Sequence, residues 1–159
     1  MTTRLRVALL FLVVVACVAA RATGALAAQV RMSHATAAAQ KQARVVRFAR
    51  HLLGVRYAYG GTSPRSGFDC SGFTRFVYAH FGISLPHYTG GQFDLGRRVS
   101  RAGLRPGDLL FFDGLGHVGM YVGNGRFIHA PHTGTRVRIE RLAGWYSARL
   151  DGARRIKNA

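Results

Sequence analysis

Acidic residues are scarce in this chain. Only 6 Asp and Glu stand against 23 Lys and Arg in 159 residues, for a formal net charge of +17. So few carboxylates, and so few cysteines, make a metal centre a poor prospect, and no metal or cofactor is expected. The cations, nearly all arginine, call instead for an anionic partner: nucleic acid, anionic lipid or an acidic polymer. Cysteine is scarcer still, with Cys17 and Cys70 the 2 present. No apolar run reaches the roughly 20 residues a spanning helix needs. The stretch from Val7 to Ala20 is about 14 residues long. Internal repeats are absent. What is present is a hydrophobic content of 48%, enough for the core of one domain.

Residues 1–27 have the form of an export signal. MTTRLR brings positive charge, VALLFLVVVACVAA the apolar stretch, and ALA at 25–27 a small-residue cleavage site. Two other readings compete. The segment could stay as an anchor, or VVAC could be a loose lipoprotein box with Cys17 lipidated. Cleavage near Ala27 leaves Cys70 as the sole cysteine of a protein secreted to the cell envelope. It then has no partner for an intramolecular disulfide and must be either buried or reactive.

Residues 28–41 read as an Ala-rich tether and 42–159 as the domain. Val45, Phe48, Ala49 and Leu52 recur at helical spacing from about Gln40 to Leu53, and Gly54 supplies a stop. After the loop VRYAYGGTSPRSG, the segment CSGFTRFVYAHFG carries a second stripe of Phe73, Phe76, Val77 and Phe81. Asp69 is its N-cap candidate. Residues 83–106 form a long connection with room for a helical turn near Gly91–Leu95. The period then becomes two in GDLLFFD, HVGMYVG, RFIHAP and TRVRIERL, with a hairpin signal at Asn124-Gly125. WYSARLDGARRI offers a last strand, with Trp145 and Tyr146 in the core. Helices followed by an antiparallel sheet make an α+β domain.

Cys70 stands where a helix begins. Unpaired N–H groups there favour a thiolate and offer a hole for an oxyanion. The competing reading is a core cysteine three residues before Phe73 on the same stripe. A nucleophilic cysteine needs a base, usually histidine. Of the 7 histidines, His34 lies outside the domain, His51 and His80 read as helix surface, and His87 falls in the connection. His117, His129 and His132 lie on or beside the hairpin. A two-residue turn at Asn124-Gly125 would set His129 opposite Met120 and His117 opposite His132. His117 and His129 would then project from opposite faces. Either the hairpin holds a bulge, or His132 is the partner of His117.

FDCSGFTRFVY, LPHYTGGQ, RPGDLLFF, HVGMYVGNG and RFIHAP, with YAYGG upstream, resemble the ordered signatures of the NlpC-type cell-wall cysteine peptidases. The likeness spans roughly residues 42–157. It implies a papain-like fold, helices packed on a central antiparallel sheet, with the nucleophile at a helix N-terminus. It also implies a Cys–His–His site: Cys70 as nucleophile, His117 as base and then acid, and His129 orienting His117. Tyr57, Asp69 and Ser71 would bind substrate. The IHAP context favours His129 over His132. One departure is His87, where the family often has arginine.

The expected activity is cleavage of peptidoglycan stem peptides, at the bond between D-γ-glutamate and a diamino acid. Alternatives are a cell-wall amidase of the same superfamily and an inactive wall-binding module. Other expected traits are a monomer, adhesion to anionic wall polymers through the basic surface, no nucleic-acid partner, and a membrane link only if Cys17 is lipidated.

Overall fold

The structure is a computed structural model that describes residues 28–156. The segment expected to be an export signal, with Cys17, lies outside the described residues. Helix α1 covers 28–50, so the stretch expected as a tether is helical. No Gly or Pro interrupts residues 28–53, and Ala, Gln and Arg favour helix. The compact unit that holds the sheet begins at Gln40. Val45, Val46 and Ala49 of α1 are buried in it. Gly54, at φ 82°, closes the turn after α1 in a conformation that favours glycine.

Strands β1 (Thr62–Ser63) and β2 (Gly67–Phe68) then form a small ladder. Next come α2 (Cys70–Ala79) and α3 (Thr89–Phe93). The main sheet is built from β3 (Arg97–Val99), β4 (Leu109–Phe112), β5 (His117–Gly123), β6 (Arg126–His129), β7 (Arg138–Arg141) and β8 (Leu150–Arg155). A short helix α4 (Gly144–Ala148) precedes β8. The sheet order is β3-β8-β4-β5-β6-β7, antiparallel throughout.

Alternation sorts the side chains into two layers. Leu109, Phe111, Val118, Met120 and Ile128 bury one face against Phe73 and Val77 of α2 and against α1. Each such large side chain contributes about 1.5–3 kcal/mol. Leu110, Phe112, Phe127 and Ala153 face the other way, onto Leu142, Leu104 and Tyr146.

Three local expectations change. The connection 83–106 contains a strand, β3, as well as α3. The segment WYSARLDGARRI, expected as one strand, divides into α4 and β8, and β8 enters the sheet between β3 and β4. Folding gives its cations partners inside the sheet. Arg155 is paired with Asp108 at 2.7 Å, and the Arg154 guanidinium lies 3.7 Å over the Phe93 ring. Trp145 is not core: it is 51% exposed, with Arg149 stacked 4.5 Å over its ring.

Candidate active site

The N-terminus of α2 is fixed by one carboxylate. Asp69 Oδ1 accepts from the Gly72 amide at 2.6 Å and from the Ser71 hydroxyl at 3.2 Å. Its Oδ2 accepts from the Gly60 amide at 3.0 Å, tying the YAYGG loop to the helix. His87 Nε2 lies 2.9 and 3.0 Å from the two oxygens. Gly72 has to be glycine, since a Cβ there would sit 2.1 Å from the Gly61 carbonyl oxygen. Behind the turn, buried Gln92 donates to the Ser71 and Pro86 carbonyls at 2.9 and 2.8 Å. Its Oε1 accepts from Thr74 Oγ1 at 2.7 Å. His87 and Gln92 were not singled out from the sequence as site residues. Their signal was their place in LPHYTGGQ, which α3 brings against the start of α2.

Cys70 is partly buried, and its sulfur meets a mixed environment. Burial pushes the thiol pKa up, the Val118 amide pulls it down, Asp69 raises it again, and the amides of Ser71 and Cys70 lower it. The balance is upward. The helix N-terminus therefore acts as expected, but desolvation outweighs it. The Val118 contact puts β5 directly beside the sulfur. Tyr57 is close too: burial raises its hydroxyl pKa, followed by the charges of Cys70 and Asp69. Tyr59, by contrast, is 92% exposed. Ser71 is buried, with its hydroxyl turned to Asp69.

The hairpin settles the parity of its histidines. Asn124 and Gly125 have φ of 52° and 63°, as a tight primed turn requires. The register then shifts between Tyr121 and Gly123: Gly123 pairs with Arg126, but Tyr121 pairs with Phe127 and Met120 with Ile128. This irregularity at Val122 moves His129 opposite Gly119, onto the same face as His117. Gly119 makes room, because a Cβ there would lie 2.6 Å from Phe127 Cδ2 and 3.2 Å from His129 Cβ. His117 Nε2 and His129 Nδ1 are 2.7 Å apart. His132 is elsewhere, on an exposed turn, with Nδ1 2.9 Å from the Thr133 carbonyl.

Both rings of the pair are kept neutral. Burial lowers the His117 pKa to about 4, helped by His132 and opposed by Asp113. Burial lowers His129 to about 2, with His117, Arg138 and His132 adding to the effect. His129 is fully buried against the rings of Phe127 and Tyr146, 4.7 and 5.5 Å between centroids. Among the described residues, its Nε2 is the buried side-chain polar atom that has no hydrogen-bond partner. Such an atom is costly unless it serves a purpose.

A partly buried cysteine at a helix N-terminus, facing a strand that starts with a hydrogen-bonded histidine pair, defines a papain-like α+β domain. The model of the NlpC/P60 family matches residues 54–155, and the chain belongs to that family. It is 47% identical over 100 residues to the probable endopeptidase p60 of Listeria innocua, covering 61% of this chain and 21% of that protein. Against the peptidoglycan endopeptidase RipA of Mycobacterium tuberculosis it is 38% identical over 109 residues, covering 60% of this chain and 23% of that one. The crystal structure of the NlpC/p60 domain of the peptidoglycan hydrolase SagA aligns with a TM-score of 0.66 at 36% identity. That match covers 72% of this chain and 98% of the domain. The chain thus spans only about a fifth of the length of these two curated relatives.

Proposed function

We infer that this protein is a cysteine peptidase, acting outside the cytoplasm, that hydrolyses the D-γ-glutamyl–diamino acid bond of peptidoglycan stem peptides. The observation that carries the reading is the 2.7 Å contact between His117 Nε2 and His129 Nδ1, on a strand whose next amide reaches Cys70. The names of the relatives support the substrate class.

The protonation states favour a neutral resting pair, thiol and imidazole, because burial opposes charge on both. His117 uses Nε2 toward His129, which leaves Nδ1 to take the Cys70 proton. For Nδ1 to accept, the His117 proton must sit on Nε2 and be donated to His129 Nδ1. His129 then carries its own proton on the unpartnered Nε2. His129 thereby fixes the tautomer of His117 and stabilises the imidazolium as it forms.

As Nδ1 takes the proton, Cys70 Sγ attacks the amide carbon. The oxyanion is held by backbone N–H groups at the start of α2. The imidazolium of His117 returns its proton to the leaving amine, the C–N bond breaks, and a thioester remains. Water, deprotonated by His117, releases the acid and restores the thiol. Tyr57 and Asp69 bound the substrate side of Cys70, and Ser71 acts through the Asp69 carboxylate. Digestion of purified peptidoglycan fragments, read by mass spectrometry beside Cys70→Ala, tests this reading. New amine and acid termini at the γ-glutamyl bond with the parent alone are expected. Identical product profiles from both proteins would remove the claim.

A further inference from the structure

α1 has an unusual charge pattern for a helix. No Asp or Glu precedes Asp69 anywhere in the chain, so Arg44, Arg47 and Arg50 of α1, and His51 in the turn after it, have no acid beside them along the chain. Like charges three and four residues apart on one helix repel. Arg44, Arg47 and His51 also share one face, and that face meets the C-terminal end of α2. Together with Phe48, His80 and Phe81 they line a cleft of about 180 Å³. No carboxylate lines it, and neither arginine is in an ion pair among the described residues.

The cleft has a fixed floor. The His80 ring lies flat on Phe48, 3.8 Å between centroids and 4° from parallel. Phe81 meets both rings edge-on, at 6.0 Å from Phe48 and 5.1 Å from His80. His80 covers one face of the Phe48 ring and closes that face to a ligand. What remains is a small cavity ringed by guanidinium and imidazole donors, which fits a compact oxyanion. None of the large exposed hydrophobic side chains lines the cleft, so it has no apolar rim to enter a bilayer. The site is also distinct from the candidate active site. Cys70 opens α2 and His80 caps its far end, ten residues on and so about 15 Å along the axis.

We propose that this cleft binds the phosphate group of a polyol phosphate polymer, holding the domain on an anionic matrix. The proposal does not rest on the peptidase reading. It is tested with the full chain, by following backbone amides in NMR titrations with glycerol 3-phosphate and with a soluble glycerol phosphate polymer. Saturable shifts centred on Arg44–His51 and His80–Phe81 are expected. R44Q/R47Q should weaken binding about tenfold through lost charge-assisted hydrogen bonds. R126Q/R141Q removes equal charge from β6 and β7 and should leave the site's shifts in place. Equal weakening in both double variants, or shifts spread over the whole surface, overturns the site. Arginine-dependent binding to phosphatidylglycerol vesicles without binding to the soluble polymer overturns the choice of ligand. Both variants should keep the parent's melting temperature and its action on soluble peptide fragments, so failure here is separable from failure of the peptidase reading.

Discussion

Two buried polar pairs sit on this sheet, and they are built in opposite ways. Asp108, just before β4, is fully buried yet completely satisfied. Arg155 Nε and Nη2 reach its two oxygens at 2.7 Å each, and the Arg105 amide adds a third donor at 2.7 Å. His117 and His129 share one contact, also of 2.7 Å, and leave Nε2 of His129 without a partner. The first pair locks the terminal strand into the sheet. The second holds two imidazoles neutral by burial. A saturated network suits structure, while an under-satisfied one suits chemistry, because its protonation state can still change.

The sharpest way to break that contrast is at the proposed nucleophile. Cys70→Ala should cut turnover of peptide fragments by on the order of 10⁴-fold with an almost unchanged melting temperature. A variant retaining a tenth of the activity would place the chemistry elsewhere. His129→Ala should fall next, losing turnover mainly in kcat. His129→Asn keeps an acceptor for His117 Nε2 and should recover part of it. Equal activity in the two variants would argue that the ring only fills space.

Asp108→Asn should behave in reverse. It leaves Arg155 partly buried and unpaired, at a cost of about 3 kcal/mol in denaturant unfolding. Its turnover per folded molecule should stay near that of the parent. A large kcat loss with intact stability would erase the distinction between the pairs.

The pH dependence separates them more gently. Both histidines have folded pKa values depressed below the ordinary 6.5, to about 4 and about 2. The unfolded chain binds more protons in that window. Their contribution to stability is therefore complete above about 6.5 and lost as pH falls toward 4 and below. Melting temperature should drop over that range, and less steeply in His129→Asn. A profile no flatter in the variant would mean other groups carry the slope. The smallest effect expected is for His132→Ala, whose turnover should lie within about twofold of the parent, as for exposed sites away from special features. A loss matching that of His129→Ala would restore His132 as the partner of His117.

Much of this was legible along the chain. Asp69 before CSGF marked the start of α2 through its capping chemistry. The Phe73 and Val77 stripe marked the buried side of that helix, and Asn124-Gly125 marked the hairpin. These are local preferences, set by side chains within a few residues of one another. The motif order also carried the family and the fold class.

Other features needed partners distant in the chain. Trp145 reads as core from composition, but Arg149 covers it on the surface. β8 reads as polar, and only Asp108 and Phe93 make its arginines tolerable inside the sheet. His87 reads as a loop residue until the fold sets it on Asp69.

The sequence by itself determined the nucleophile candidate, its helix and its cap, because those depend on neighbours three or four residues away. It also narrowed the second histidine to two positions. The IHAP resemblance favoured His129, and tertiary structure sets that ring against His117 through one irregular residue at Val122 that reverses strand parity. It also decided the charge state of the site, because burial is a property of the packed layers. Alternation and capping are local physics; desolvation and register are not.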